Sequence, residues 1–373
     1  MVVKDLKLSL QSNKRLLLLL KTLILLAIFA VSIGQRLQYF DQVGKDIFAY
    51  EKAIQDLFDG VNPYKWTVES FSNPDDPGNH GYAYLPNLMY LNGVLYLFSL
   101  IFKIPFQYLW KIPVLLADIG IGLLLIKHFG MKRFLPLVFG LLFWYFNPYF
   151  YLKSNYVYFD PLAIFFMLAG LRYLEKDDVL SGSSLALSIG FKTFPVLLVP
   201  LFIMKAKNKL EMLASMALIG LFISIPFMTT ISDFLIYLQG ALFVHQDRFV
   251  QGRPFLFYIS YFYKIELFQI IPLKWYSIFS FISGWLVSVF VLLKNKEFDK
   301  YILASLAIVL FYIFTPVLNR TYLIWGMPVF ILGFYAISRE YKHYLYYFLT
   351  LGYWGFYYWY LLQWKDGFHI WRP

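Results

Sequence analysis

The chain has no cysteine, and only 15% of its 373 residues are charged. The absence of cysteine excludes disulfides, thiol nucleophiles and cysteine metal ligands. The low share of charged residues argues against a soluble globule of this length. The sequence also contains no nucleophile elbow, P-loop, HExxH motif or dinucleotide fingerprint, so nothing in it supports a mechanism driven by ATP or by a nucleotide sugar.

Apolar and aromatic residues dominate what is present. Hydrophobic residues make up 60% of the chain and aromatic residues 22%. Apolar runs long enough to cross a bilayer recur along the chain. We therefore predict an all-α, polytopic membrane protein with about 11 transmembrane helices. The lysines and arginines behind the net charge of +11 lie in short breaks between the apolar runs. This placement indicates membrane topology rather than binding to nucleic acid. The first run, residues 16–33, has no cleavage site after it and predicts a retained anchor with a cytoplasmic N-terminus.

The orientation of the chain depends on residues 86–102. If this run crosses the membrane, thirteen downstream lysines and arginines face outward, against the positive-inside rule. If the run lies at the interface within a long first external loop, the same thirteen residues face the cytoplasm, and we adopt this arrangement. They are Lys127, Lys132, Arg133, Arg172, Lys176, Lys205, Lys207, Lys209, Lys294, Lys296, Lys300, Arg339 and Lys342.

This topology predicts external loops at about residues 35–105 and 232–272. It also requires the run at 183–204 to form two short helices that meet at an external bend. Phe194-Pro195 is the predicted hinge, because a proline removes a helix hydrogen bond. The polar residues that are able to take part in catalysis or binding then lie on the external face.

The first external loop opens with an amphipathic helix that starts near Asp46. Asp46 is either an N-cap or a general base toward an acceptor hydroxyl, and the two roles are compatible. Tyr84 is expected to shape a surface against lipid headgroups. The acids Asp75 and Asp76 and the ring of His80 form a metal-ligand set or a solvated loop, so we assign no metal ligand and leave a divalent metal open.

A second external segment carries Asn147, Lys153 and Asp160 at the ends of apolar helices. Ionisable residues beside a membrane span are costly and indicate function by default. The alternative is that Lys153 pairs with Asp160 as a structural tie. Lys192, at the predicted bend, either snorkels toward the interface or binds an anion.

The long loop at 232–272 places His245, Arg248 and Arg253 between aromatic flanks, and Arg320 follows at a later helix junction. The planar guanidinium of arginine can bind two phosphate oxygens at once, which predicts a phosphate site. Ordinary loop salt bridges are the alternative.

Several short motifs occur together in a recurring order. They are Asp46 with the Tyr50 helix, the turn Gly60-Val61-Asn62-Pro63-Tyr64, Tyr84-Leu85-Pro86, Asn147-Pro148 leading to Asp160, Phe191-Lys192 with Pro195, and Asn319-Arg320-Thr321-Tyr322. In this order the chain resembles the GT-C superfamily of integral-membrane glycosyltransferases. Within that superfamily it is similar to polyprenyl-phosphate-mannose-dependent mannosyltransferases, including bacterial α-mannosyltransferases and the first mannosyltransferase of GPI-anchor assembly.

The resemblance implies a GT-C fold with Asp46 as the catalytic carboxylate. It implies an N-terminal seven-helix module, residues 1–230, with interfacial helices in its first loop, followed by a C-terminal module, residues 231–373. Some relatives carry a second acid two residues after the catalytic one, but no acid follows Asp46 at that position. The resemblance therefore leaves metal dependence open.

The expected activity is inverting transfer of a hexose, with mannose as the expected sugar, at the external face of a plasma membrane. The donor would be a polyprenyl-phosphate sugar and the acceptor a hydroxyl on a glycan, lipid or protein. Lys192, Arg253, Arg320 and Arg248 would hold the donor phosphate, with Lys153, Asp160, Asn147, His245 and Tyr84 lining the site. The alternative is a lipid-linked-saccharide transporter or flippase, which predicts functional charges near the midplane or on both faces.

Overall fold

The computed structural model describes residues 2–42, 44, 46–72, 81–152, 159–244, 250–264 and 270–363. The chain is 81% helical, which confirms the all-α prediction. The exception among the described residues is a parallel pairing of two-residue strands, β1 (Gln251–Gly252) and β2 (Val317–Leu318).

Most of the helices in the first half of the chain are short. They are α1 (Val2–Leu37), α2 (Asp46–Phe58), α3 (Pro63–Ser72), α4 (Asn87–Phe102), α5 (Phe106–Leu109), α6 (Lys111–Phe129), α7 (Phe134–Tyr145), α8 (Pro148–Leu152) and α9 (Asp160–Tyr173). The remaining helices are α10 (Asp178–Phe191), α11 (Val199–Lys205), α12 (Lys209–Ser224), α13 (Ile231–Leu238), α14 (Phe255–Tyr263), α15 (Leu273–Lys294), α16 (Lys300–Phe314), α17 (Tyr322–Glu340) and α18 (Tyr344–Gln363).

Five of the described helical segments are long and apolar enough to cross a membrane, which indicates a membrane protein. They are Lys14–Leu37, Phe106–Phe129, Lys209–Phe227, Leu273–Lys294 and Tyr322–Arg339. Five further apolar helices are shorter, among them α4 and α10. A 16-residue helix such as α4 measures about 24 Å, less than the ~30 Å hydrocarbon core. The count of eleven spans and the interfacial position of α4 therefore stay predictions.

The helices share one hydrophobic core that includes residues from Leu25 to Leu361. α15 packs against α11, α17 packs against α7 and α9, and α18 packs against α7 and α8. The two predicted modules thus pack against each other, and a boundary at residue 230 stays a prediction.

Helix α9 divides the molecule into two ends, which we call the Asp160 end and the Glu175 end. Its 14 residues separate these ends by about 20 Å. At the Glu175 end, Lys205 Nζ lies 2.8 Å from Glu175 Oε1 and Lys300 Nζ lies 3.2 Å from Glu175 Oε2. At the Asp160 end, Lys111 of α6 reaches back and donates hydrogen bonds to backbone carbonyls that follow α1, including that of Tyr39 at 3.3 Å.

Candidate active site at the Asp160 end

The chain breaks between α10 and α11, as the proline predicts. α10 ends at Phe191, Lys192 is extended at φ −155° and ψ 135°, and a 3-10 turn runs from Phe194 to Leu198 with Pro195 near its start. Because the backbone is extended at Lys192, its side chain leaves the helix axis at the bend. Lys192 is half-buried there.

Lys192 forms an ion pair with Asp160, the first residue of α9. Its Nζ lies 2.7 Å from Asp160 Oδ1, and the indole N–H of Trp325, on α17, donates to the same oxygen. Asp160 is 1% exposed, and its second oxygen, Oδ2, has no hydrogen-bond partner among the described residues. A buried carboxylate oxygen without a partner carries a large desolvation cost. Within the part of the chain that the structure describes, one oxygen of this carboxylate is therefore left to accept a hydrogen bond.

Aromatic rings surround this ion pair. Lys192 Nζ lies 5.2 Å from the centre of the Phe159 ring and 5.0 Å from that of Trp325, which is within range of a cation–π interaction. Trp325 is stacked between Phe194, at 4.3 Å, and Tyr322, at 3.9 Å. The rings fix the position of the lysine charge more tightly than solvent would.

Tyr50, on α2, extends the ring cluster toward the surface. Its ring makes edge contacts with Phe159, Trp110, Tyr82 and Tyr84 at centroid distances of 6.0 to 6.3 Å. The Tyr50 hydroxyl and the Trp110 indole N–H are buried and have no hydrogen-bond partner among the described residues. Together with Asp160 Oδ2 they supply one acceptor and two donors around Phe159 for a polar ligand.

Electrostatics keep the Tyr50 hydroxyl protonated. Burial raises the pKa of Tyr50 well above its ordinary value of 10.0, and Tyr84, Asp46, Tyr82 and Asp160 raise it further. Tyr50 therefore remains a hydrogen-bond donor at physiological pH.

Asp46 lies at the rim of this cluster. It occupies the first turn of α2, four residues before Tyr50 on the same helix face, and its side chain is exposed. An N-terminal carboxylate stabilises the helix through the macrodipole. Asp46 therefore combines a structural role with access to a ligand.

Arg253 and Arg320 are brought together by the pairing of β1 with β2. Gly252 is the register partner of Leu318, so Arg253 and Arg320 each lie within two residues of that pair. The Arg253 guanidinium donates to Gln363 Oε1 at 2.6 Å, and its backbone N–H donates to the Tyr360 hydroxyl at 3.2 Å. Arg320 accepts a hydrogen bond on its carbonyl from Tyr357 and precedes Tyr322, which stacks on Trp325.

The other predicted site residues have different outcomes. Asn147 is buried and bonds to its own chain, since its amide donates to the Trp144 carbonyl at 2.8 Å and accepts from the Phe150 N–H at 3.1 Å. This geometry explains Asn147 as a helix connector. Tyr84 lies within the ring cluster, 4.9 Å from Phe159. Lys153, His245 and Arg248 lie outside the described residues, as do Asp75, Asp76 and His80.

Asp160 was expected either to line the site or to pair with Lys153. Among the described residues it pairs with Lys192, and a contact with Lys153, which lies outside them, stays a prediction. Lys192 was expected to snorkel or to bind an anion. In the structure its ammonium group pairs with the carboxylate of Asp160. Across the described residues, no group of three or more histidine, aspartate or glutamate side chains is placed to hold a metal ion.

A second buried ion pair at this end was not predicted from sequence. Arg36 of α1 pairs with Asp118 of α6 and also donates to Ser32 Oγ at 2.8 Å. The Trp144 indole N–H donates to the other Asp118 oxygen at 2.7 Å. Asp118 lies inside a predicted membrane-spanning run. An ionisable residue inside such a run is the sequence feature that indicates a buried partner of opposite charge.

Comparison with protein-family models, curated proteins and solved structures finds no match for this chain. The chemistry of the site follows from its own residues. They supply a rim carboxylate, a buried carboxylate–lysine pair with one unpartnered oxygen, unpartnered donors, and two nearby arginines.

Proposed function

We propose that the chain is an inverting glycosyltransferase that moves a hexose from a polyprenyl-phosphate donor to a hydroxyl acceptor. The observation that carries the proposal is the gathering of Asp46, the Asp160–Lys192 pair and the Tyr50 ring cluster at one end of a bundle of apolar helices. A lipid-linked substrate needs its reacting group at the end of a membrane helix, and a sugar needs both aromatic faces and hydrogen-bonding groups.

The reaction assigns a role to each group. The acceptor oxygen attacks the anomeric carbon of the donor as the carbon–oxygen bond to the phosphate breaks. Asp46 takes the acceptor proton as general base. The bonding electrons leave with the phosphate, whose charge is stabilised by Arg253 and Arg320.

Lys192 has a changed role in this mechanism. Because Asp160 compensates its charge, Lys192 contributes to phosphate binding less than an unpaired cation would. The unpartnered Asp160 oxygen instead accepts a hydrogen bond from the sugar, and the Tyr50 and Trp110 donors complete its binding.

The proposed topology places this end outside a plasma membrane. The thirteen lysines and arginines counted in the sequence would then lie in the cytoplasm with the N-terminus, in accord with the positive-inside rule. The acceptor is a glycan, a lipid or a protein-linked hydroxyl, and the multi-pass helices are embedded in the bilayer.

Transfer of radiolabelled mannose from synthetic polyprenyl-phosphate-mannose tests the proposal, with native lipid extract as the source of acceptor. Membranes containing the native chain should transfer the label, and the Asp46→Asn variant should lose roughly 10²- to 10⁴-fold in rate, the usual contribution of a general base. Asp59→Asn is the matched control, because Asp59 is an exposed acid just after the same helix.

Three results would contradict the proposal. Full activity in Asp46→Asn would remove this residue from the mechanism. Equal losses in both variants would indicate a general effect of charge on the loop. Movement of the labelled lipid across the membrane without transfer to an acceptor would instead favour the transporter or flippase.

A further inference from the structure

The Glu175 end carries a cluster of cations that the proposed activity does not use. Its members come from helix ends that are far apart in sequence. They are Arg133, just before α7, Arg172, near the end of α9, Lys300, at the start of α16, and Arg339, near the end of α17. We call them the basic cluster.

Two tyrosines and one histidine hold the basic cluster together. The His128 ring, at the end of α6, lies 5.2 Å from Tyr301 and 6.5 Å from Tyr335. The Arg133 guanidinium lies 5.4 Å from the centre of the Tyr335 ring. Arg339 follows Tyr335 by one helical turn, which places the two residues on the same face of α17.

The other two cations are connected through the end of α9. Lys300 precedes Tyr301 and donates a hydrogen bond to the carbonyl of Leu174 at 2.6 Å. Arg172 lies two residues before that carbonyl. The charges of Arg172, Arg133, Arg339 and Lys300 all act on the His128 ring, as expected for a single convergent group.

Four carboxylates at this end have other partners among the described residues. Glu175 pairs with Lys205 and Lys300. Asp177 and Asp299 cap α10 and α16 by accepting backbone N–H bonds, and Asp178 accepts from the Asn208 N–H. Among the described residues, no ion pair involves Arg133, Arg172 or Arg339. Three guanidinium groups thus converge without an acidic partner among the side chains that the structure describes.

We propose that the basic cluster binds the phosphate of an anionic phospholipid headgroup. Guanidinium groups bind phosphate oxygens in pairs. The cluster also lies where the candidate spans Phe106–Phe129 and Tyr322–Arg339 end, which is the depth of the headgroups beside a membrane helix. Basic pockets between transmembrane helices bind phosphate headgroups for this reason. This site is separate from the proposed active site and does not depend on its reaction.

The test uses the purified chain in nanodiscs of phosphatidylcholine that contain a minor share of phosphatidylglycerol with the same acyl chains. Native mass spectrometry counts the lipids of each kind that stay bound. The native chain should retain phosphatidylglycerol in preference to phosphatidylcholine. The double variant Arg172→Gln/Arg339→Gln should weaken this preference roughly fivefold for each charge removed.

The matched control is the double variant Lys207→Gln/Lys296→Gln, which removes two exposed positive charges from the same end outside the cluster. It should keep the native preference, and thermal midpoints confirm that both variants fold. Equal loss in the two double variants, or no preference in the native chain, would overturn the proposal. A parallel titration with inorganic phosphate distinguishes the source, because stabilisation by phosphate alone without lipid preference would identify a soluble ligand instead.

Discussion

Two buried ion pairs lie at the same end of the molecule and differ in how their carboxylates are satisfied. Asp118 uses both oxygens, one toward Arg36 and the other toward the Trp144 indole. Asp160 receives Lys192 and the Trp325 indole on a single oxygen and leaves the other buried without a described partner. We call the Arg36–Asp118 pair the closed pair, because both of its carboxylate oxygens have partners, and the Asp160–Lys192 pair the open pair, because one carboxylate oxygen has none among the described residues.

The largest expected effect is on stability, from breaking the closed pair. Asp118→Ala leaves the Arg36 charge buried and uncompensated, which should lower the free energy of unfolding by about 3–5 kcal/mol. Thermal or denaturant unfolding in detergent measures this loss. The double variant Arg36→Met/Asp118→Leu is the control and should recover much of it, because well-packed apolar residues often replace a buried pair at little cost. A loss below 1 kcal/mol in Asp118→Ala would mean that the pair is not a structural tie.

A smaller loss is expected at the open pair. Trp325→Phe keeps an aromatic ring between Phe194 and Tyr322 but removes the N–H that donates to Asp160. Loss of a hydrogen bond to a charged group should cost about 1.5–3 kcal/mol. Trp275→Phe, at an exposed tryptophan, is the control and should change the unfolding free energy little. An unchanged stability in Trp325→Phe would show that the indole does not support Asp160.

The Tyr50 hydroxyl separates stability from ligand binding. Because it has no described partner, Tyr50→Phe should leave the free energy of unfolding within about 0.5 kcal/mol of native while reducing sugar transfer roughly tenfold. Tyr64→Phe is the contrasting control, because the Tyr64 hydroxyl donates to the Tyr84 carbonyl at 2.8 Å. Its loss should cost about 1 kcal/mol. A clear loss of stability in Tyr50→Phe would reveal a partner within the chain itself.

The smallest effect concerns acid pH at the other end. Burial by itself would raise the pKa of Glu175, but hydrogen bonds and charges from Lys205 and Lys300 outweigh burial and hold the pKa below its ordinary value of 4.5. A carboxylate with a lowered pKa in the folded state stabilises fully above its unfolded pKa and loses that contribution as the pH falls through the folded value.

The thermal midpoints of the native chain and Glu175→Gln should therefore differ by a constant amount above about pH 5, and the difference should shrink in acid. Glu211→Gln, at an exposed acid on α12, is the control. A difference that grows as the pH falls would have the wrong sign for this explanation.

Much of the helical architecture can be predicted from the sequence, because it depends on local patterns. Apolar runs predict the helices, and Pro195 predicts the break at Lys192, since a proline cannot donate the missing hydrogen bond. Among the described residues, five segments meet the length and composition of a membrane helix and five further apolar helices are shorter. The predicted count of eleven therefore stays a prediction, because length and composition do not decide whether a short apolar helix crosses the bilayer.

The site is only partly predictable. Asp160 and Lys192 can be identified singly from their positions beside apolar runs, but their pairing joins residues 32 positions apart. Trp325 lies 165 positions from Asp160, and no local pattern relates two residues at that distance. Tyr50 has the same difficulty, because an aromatic residue on an amphipathic helix is ordinary core until its hydroxyl is seen to lack a partner.

The most direct test of the distinction between the closed and open pairs compares Asp118→Asn with Asp160→Asn. Each variant is purified, its thermal midpoint is measured, and mannose transfer is recorded per folded molecule. The distinction predicts that both variants lose stability, because each leaves a cation without its carboxylate, but that folded Asp118→Asn transfers at the native rate whereas folded Asp160→Asn loses transfer. Native transfer by folded Asp160→Asn, or loss of transfer by folded Asp118→Asn, would contradict it.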